Sequence, residues 1–253
     1  MNLETVTGLV LSAMPIGEYD KRLVILSKER GKISAFAKGA RRQNSALMAC
    51  SQPFSFGQFT IYQGKNSYTI NNVQIQNYFE DLRTDLEKVT YGMYFCEVAS
   101  YLTYENIEST GLLKLLYQSL KALGNDKLPK ELVRAVFELK ALDFNGETPQ
   151  VFACVKCRKK TEEEYPKNFS AKMGGLLCKS CSALFSDTIL ISPPTVYAMQ
   201  HIITSSVEKL YTFILKQEFL QELICVANAY MKCYANGNFQ SLQMLEIPLH
   251  DLT

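Results

Sequence analysis

The sequence predicts an α+β chain: a small five-stranded barrel, then an all-helical body that carries an inserted four-cysteine metal segment. Three observations predict it. Short β-branched and aromatic runs separated by turn residues fill the first eighty positions. From Thr84 onward the apolar spacing becomes helical. Two Cys-x-x-Cys pairs, Cys154 with Cys157 and Cys178 with Cys181, then interrupt the helical part with twenty residues between them. At 253 residues, 47% hydrophobic and 21% charged, the chain is large and apolar enough for a real core. The composition shifts place boundaries at 1–80, 81–150, 151–185 and 186–253. There is neither a basic leader nor an apolar run long enough to cross a bilayer, so a soluble cytoplasmic protein is expected.

The expected strands are Thr5–Ser12, Arg22–Ser27, Lys32–Ala37, Phe54–Gln63 and Ser67–Gln76, with turns at Pro15–Gly17, Glu29–Gly31, Gly39–Asn44 and Gly64–Asn66. Gly8 and Gly57 sit inside strands, where a barrel must bend or bulge. Five strands in about eighty residues fit an oligonucleotide-binding (OB) barrel better than a sandwich, which needs about seven. Phe36, Phe54, Phe56, Phe59, Tyr62 and Tyr68 have rings that stack on bases when exposed. One face of each strand must fill the interior, however, so only one or two are expected at the surface.

Charge is uneven. Residues 1–80 hold nine Lys/Arg against five Asp/Glu, and Lys21, Arg22, Lys28, Arg30, Lys32, Lys38, Arg41 and Arg42 face only Glu29 within their span. Such clustering is the footprint of a polyanion partner. In Ala37–Ser45, Gly39 lets the backbone turn while Lys38, Arg41 and Arg42 project from a segment with no apolar partner, as phosphate contacts require. A solvated loop that binds nothing is the alternative.

Thr84-Asp85-Leu86-Glu87 reads as a capping box opening a helix that runs through Leu102. Leu112–Leu123, Pro129–Leu142, Thr195–Lys209 and Gln217–Tyr234 are the further helices, with Gly124 and Gly146 as stops and Pro193-Pro194 as a reset. Their apolar stripes read as core.

Two facing Cys-x-x-Cys knuckles supply the four thiolates of one tetrahedral Zn²⁺, and the polar stretch between them is too hydrophilic to build a core unaided. All four ligand places are then filled by protein, so the zinc is structural. Two disulfides or four free thiols are the alternatives, but Cys50, Cys96, Cys225 and Cys233 lie scattered as in a reducing compartment.

Motifs of an enzyme are missing. Gly57–Lys65 lacks the phosphate-loop spacing, and His201, His250 and the acidic run Glu162-Glu163-Glu164 form no catalytic constellation. A non-enzymatic binding protein is expected.

Taken together, Gly8-Leu9-Val10-Leu11, Gly17-Glu18 with Asp20, Gly31-Lys32, Ala37-Lys38-Gly39-Ala40-Arg41, Gln52-Pro53-Phe54, Phe137-Glu138-Leu139 and the four cysteines resemble the RecO family, the recombination mediators of the bacterial RecFOR pathway. The resemblance implies an OB-fold barrel, a helical domain and a zinc ribbon. It also implies a nucleoid-associated protein that binds single- and double-stranded DNA, anneals complementary strands and helps load RecA onto strands coated by single-strand-binding protein. The implied partners are RecR, the C-terminal tail of single-strand-binding protein and, indirectly, RecA. Lys38, Arg41 and Arg42 match the family's basic loop, whereas Arg22, Lys28, Arg30 and Lys32 rest mainly on charge clustering. Gln43-Asn44 and Gln240-Ser241-Leu242-Gln243 stand where relatives commonly carry basic residues, which implies weaker DNA contact or more reliance on a partner. A zinc-stabilised RNA-binding module and a protein scaffold without annealing activity stay open beside this reading.

Overall fold

The computed structural model describes residues 3–64, 67–161 and 168–246. Lys65 and Asn66 of the expected turn, the run Glu162–Glu164 and His250 lie outside the described residues. Strands β1 (Leu3–Ile16), β2 (Asp20–Ser27) and β3 (Gly31–Ala37) are followed by one helical turn, α1 (Leu47–Cys50), then β4 (Phe56–Gln63) and β5 (Tyr68–Asn77). They form a closed barrel in the order β1-β2-β3-β5-β4, antiparallel except for the β3/β5 pair. This is the five-stranded Greek-key arrangement expected from strand number and spacing.

Alternation makes the barrel. On β3, Gly31, Ile33, Ala35 and Ala37 are buried while Lys32, Ser34 and Phe36 are not, and the inward set joins Val6, Val10, Leu23, Ile25, Phe59, Ile61 and Ile70 in one core. Small Ala35 and Ala37 leave room for Phe59, as a narrow interior demands. Gly8 pairs directly with Gly57. A Cβ at Gly57 would lie 2.2 Å from the Gln74 carbonyl oxygen, and a bulge falls between Phe56 and Gly57. β1 runs past the expected Ser12 through Pro15. Its last residues pair only with β2, and proline is tolerated on such an edge.

Helices α2 (Glu80–Arg83), α3 (Leu86–Leu102) and α4 (Thr110–Leu123) belong to the barrel's unit, which reaches Gly124 and resumes at Phe239. The cap of α3 is one residue later than expected. Asp85 accepts from the Glu87 and Lys88 backbone N–H groups at 2.9 and 3.1 Å, while the Thr84 hydroxyl turns back to the Asp81 carbonyl and closes α2. α3 and α4 pack on β1 and β2. They cover a lateral row on the outside of the barrel: Leu9 pairs with both Leu26 and Phe56, the two leucines are fully buried, and the Phe56 ring meets Tyr117 of α4 at 4.7 Å.

The irregular segment after α3 is bound to the barrel as well. The Lys32 N–H donates to the Tyr104 carbonyl, the Asn106 N–H donates to the Arg30 carbonyl, and the Tyr68 hydroxyl donates to Glu105 at 2.9 Å. Arg83 donates to Gln52 Oε1 and the Pro53 carbonyl, both at 2.7 Å, which accounts for the Gln52-Pro53-Phe54 motif as an anchor. The chain returns to this unit at α9 (Gln240–Glu246), where Glu97 of α3 accepts from the Ser241 N–H and hydroxyl.

The second unit, Asn125–Asn238, contains α5 (Lys130–Phe144), β6 (Asn168–Ser170), β7 (Gly175–Leu177), α6 (Lys179–Ser182), β8 (Thr188–Leu190), α7 (Pro193–Thr204) and α8 (Gln217–Tyr234). α5 is its central helix, buried continuously from Leu132 to Leu142 between α7 and α8. Arg134 donates to Asn228 and lies 3.7 Å from the Glu138 carboxylate, and Lys140 donates to the Ile203 carbonyl and pairs with Asp143. Pro193 and Pro194 open α7 instead of preceding it, because proline suits a first turn whose N–H groups lack partners. The expected Thr195–Lys209 helix ends at Thr204; Ser205 and Ser206 turn extended before a single 3-10 turn at Val207–Lys209.

Gly31 holds φ +63°, and a Cβ there would lie 2.3 Å from the Tyr104 carbonyl oxygen. Gly31→Ala is therefore expected to lower stability by about 2 kcal/mol or more, since the contact is with backbone on both sides. Urea unfolding of the two proteins measures it; an unchanged midpoint would contradict this packing.

Candidate nucleic-acid interface and metal centre

The loop after β3 is held by its backbone, not by its charges. Gly39 turns with φ +68° and donates its N–H to Asp20 at 2.7 Å, and the Arg41 N–H donates to the Tyr19 carbonyl at 2.8 Å. The heads of Lys38, Arg41 and Arg42 stay in solvent. Among the described residues Lys38 makes no ion pair, Arg41 reaches only the Gly17 carbonyl at 3.2 Å, and Arg42 lies over the Tyr19 ring at 5.1 Å. Arg22 is exposed on β2 opposite Phe36 and donates to Ser34 at 2.8 Å. Burial, and then the Arg41 guanidinium, hold the Lys21 ammonium below its ordinary value; its Nζ donates to the Ser51 carbonyl. This end of the barrel therefore carries a rim of exposed cations, Arg22, Lys38, Arg41 and Arg42, with the turn of Glu18 and Asp20 beside it.

The other expected cations sit at the opposite end of β2 and β3. Arg30 is clasped by Glu4 through three hydrogen bonds of 2.9–3.1 Å and extends to Asn106. The hydrogen bond and charge of Glu4 hold its pKa above the ordinary value. Lys32 donates to the Ser100 carbonyl and lies over the Tyr104 ring, and burial lowers its pKa. Lys28 is exposed in the intervening turn, near Glu108. Charge clustering in sequence could not separate these groups, because Glu4, Ser100 and Asn106 are far away in the chain. Tyr19 and Asp20, which shape the loop, carried no signal of their own beyond the Gly17-Glu18-x-Asp20 motif.

Of the six aromatics, Phe59 and Tyr68 fill the barrel, Phe54 is buried and Phe56 lies under α4. Phe36 and Tyr62 lie on the outer surface, partly buried.

In the second unit the sulfurs of Cys154, Cys157, Cys178 and Cys181 all lie within 4.8 Å of one another, with 3.7 Å between Cys157 and Cys178. Tetrahedral thiolates about 2.3 Å from an ion have edges of about 3.8 Å, so the cluster has the dimensions to hold a metal ion. Local backbone builds it. The Arg158 N–H donates to the Cys154 carbonyl, with Arg158 at φ +65°, and the Ser182 N–H donates to the Cys178 carbonyl as α6 begins. Leu177, Val155 and Phe185 pack around the sulfurs. At Cys154 burial opposes the thiolate, but the N–H groups of Cys157, Cys178 and Lys156 outweigh it and bring the pKa to about 6. Hydrogen bonding to Cys178 and burial push Cys181 up to about 12. The surroundings thus favour the thiolate at Cys154 and oppose it at Cys181, and a divalent cation would relieve that opposition.

Among the described residues no helix is long and apolar enough to cross a membrane. The N-terminal model of recombination protein O matches residues 1–79, and its C-terminal model matches residues 83–243. The chain is 34% identical to the DNA repair protein RecO of Acetivibrio thermocellus, over 97% of each protein. It is 32% identical to that of Alkaliphilus metalliredigens, over 94% of this chain and 96% of the relative. The RecO of Clostridium perfringens is 29% identical over 94% and 96%. With both halves matched in order and relatives aligned almost end to end, the chain belongs to the RecO family of DNA repair proteins.

Proposed function

We propose that the protein is a recombination mediator that binds single- and double-stranded DNA, anneals complementary strands, and helps load RecA onto strands coated by single-strand-binding protein. The observation that supports this is the rim of Lys38, Arg41 and Arg42, exposed cations that form no ion pair among the described residues and stand on a loop held by main-chain hydrogen bonds. Annealing needs repulsion between two phosphate backbones to be screened while the bases stay free to pair, and exposed cations on a fixed scaffold supply that without a catalytic group. Arg22 extends the rim. Lys28, Arg30 and Lys32 lie apart from it, so their part in DNA binding is secondary. RecR and the tail of single-strand-binding protein are the proposed protein partners, in keeping with family membership.

One structural Zn²⁺ on Cys154, Cys157, Cys178 and Cys181 is the proposed cofactor, since four protein thiolates leave no position for a reacting water. Exposed Lys156, Arg158, Lys159 and Lys160 offset the residual negative charge of a four-thiolate zinc site.

In an ATP-free strand-annealing assay, with bare and protein-coated DNA, wild type is expected to pair complementary strands. Changing Lys38, Arg41 and Arg42 together to Ala should weaken DNA binding with little change in unfolding temperature. The salt slope on single strands should fall by about 2, at roughly 0.7 per lost phosphate contact. A variant that binds like wild type across the salt series would remove the rim from the interface. Wild-type pairing of RNA strands but not DNA would favour an RNA-binding module instead.

Cys157→Ser is expected to release metal, measured by elemental analysis, and to lower stability by about 2 kcal/mol or more. Full retention of metal would exclude the four-thiolate site.

A further inference from the structure

The outer surface of the barrel carries two apolar rows, and the helices cover only one. The covered row is Leu26, Leu9 and Phe56, beneath α3 and α4. The second row can be followed around the barrel by strand register. Met14 pairs with Arg22, Arg22 with Phe36, Phe36 with Thr69, Thr69 with Tyr62, and Tyr62 with Leu3. Facing residues in adjacent strands present their side chains to the same surface. Met14 and Leu3 are more than half exposed, Arg22 is exposed, and Phe36, Thr69 and Tyr62 are half-buried. Among the described residues neither the Phe36 nor the Tyr62 ring meets another aromatic ring. Their strands are separated by β5 alone, which puts the rings roughly 10 Å apart at about 4.8 Å per strand. Phe36 stands two residues before Lys38, so this row runs directly into the cationic rim.

We propose that the row centred on Phe36 and Tyr62 is a stacking platform for unpaired nucleobases, whose phosphates lie on Lys38, Arg41, Arg42 and Arg22. The proposal rests on the DNA-binding reading and adds to it a means of distinguishing single strands from duplex. Charge complementarity selects the occupant. An apolar peptide would leave the adjoining cations unused, whereas a single strand offers flat apolar faces and a regular anionic backbone together. A duplex keeps both faces of every base stacked within itself and can use only the rim. Pairing of a captured strand therefore withdraws its bases from Phe36 and Tyr62, and the duplex product is held less tightly than the strands that formed it.

Three fluorescent probes of equal length test this at one salt concentration: oligo(dT), its abasic deoxyribose-phosphate counterpart, and a blunt duplex. Wild type is expected to bind oligo(dT) at least about 10-fold more tightly than the abasic strand. The double variant Phe36→Ala/Tyr62→Ala should lose that preference while its affinity for the other two probes changes by less than about 2-fold. Equal binding of oligo(dT) and the abasic strand by wild type, or equal loss of all three probes in the variant, would overturn the proposal and leave the rim's role standing. Failure of wild type to bind any probe would overturn the DNA-binding reading itself and this proposal with it. Because the chain contains no tryptophan, F36W provides a single indole reporter with a bulkier ring in place of a truncation. Its emission should be quenched by oligo(dT) and not by the abasic strand or the duplex; absence of quenching while oligo(dT) is bound would count against stacking at this position.

Discussion

A five-stranded barrel has an interior too narrow for more than one set of side chains, and the rest of the N-terminal unit follows from that constraint. Every second residue on each strand is sent inward, and small residues such as Ala35 and Ala37 must alternate with Phe59 for the inside to close. Whatever apolar surface remains is exported to the outside. Half of it, at Leu9, Leu26 and Phe56, is covered by α3 and α4. Gly31 then lets the segment at Tyr104 lie against β3 at backbone distance. The helices complete the barrel, and they also determine which part of it is left facing solvent.

The same division sorts the cations. A lysine or arginine beside a carbonyl or carboxylate of its own fold has limited freedom to neutralise a phosphate, and Lys21, Lys32, Arg30 and Arg83 are all in that position. Burial lowers the pKa of Lys21, Lys32 and Arg83, while Glu4 raises that of Arg30, the expected signs for desolvated and paired groups. Lys38 and Arg42 differ, and Arg41 is tied only by one long bond to the Gly17 carbonyl, because the turn carrying them is fixed by Asp20 and by the Tyr19 carbonyl acting on main-chain N–H groups. The loop's shape does not depend on its charged heads, and those heads remain available to a partner.

Much of this was legible in the sequence where the physics is local. Period-two runs bounded by Gly and Pro located all five strands, Gly57 marked a bulge, and the Cys-x-x-Cys pairs located the cluster, because each signal lies within a few residues of the feature it specifies. Long-range pairing was not legible. That Glu4 takes Arg30, that Glu97 takes Ser241 and draws α9 to α3, or that the Phe56 ring meets Tyr117 of α4 while Phe36 meets no aromatic ring among the described residues, depends on residues far apart in the chain. The cap at Asp85 illustrates the same limit on a small scale. Thr84 and Asp85 are both good caps, and the choice follows from Thr84 being engaged in closing α2.

The second unit meets a different constraint. Its α5 is buried on every side and needs cover beyond α7 and α8, yet the residues joining α5 to α7 are mostly polar and form strands of only three residues. Strands that short do not hold together by pairing alone. Four sulfurs drawn within 4.8 Å tie residues 154–157 to residues 178–181, and Leu177, Val155 and Phe185 provide only a small apolar shell around them. A divalent ion in that position would substitute for the core the segment lacks, and it would favour the thiolate that hydrogen bonding to Cys178 and burial oppose at Cys181. Such an ion would let the linker between α5 and α7 remain hydrophilic without losing its shape.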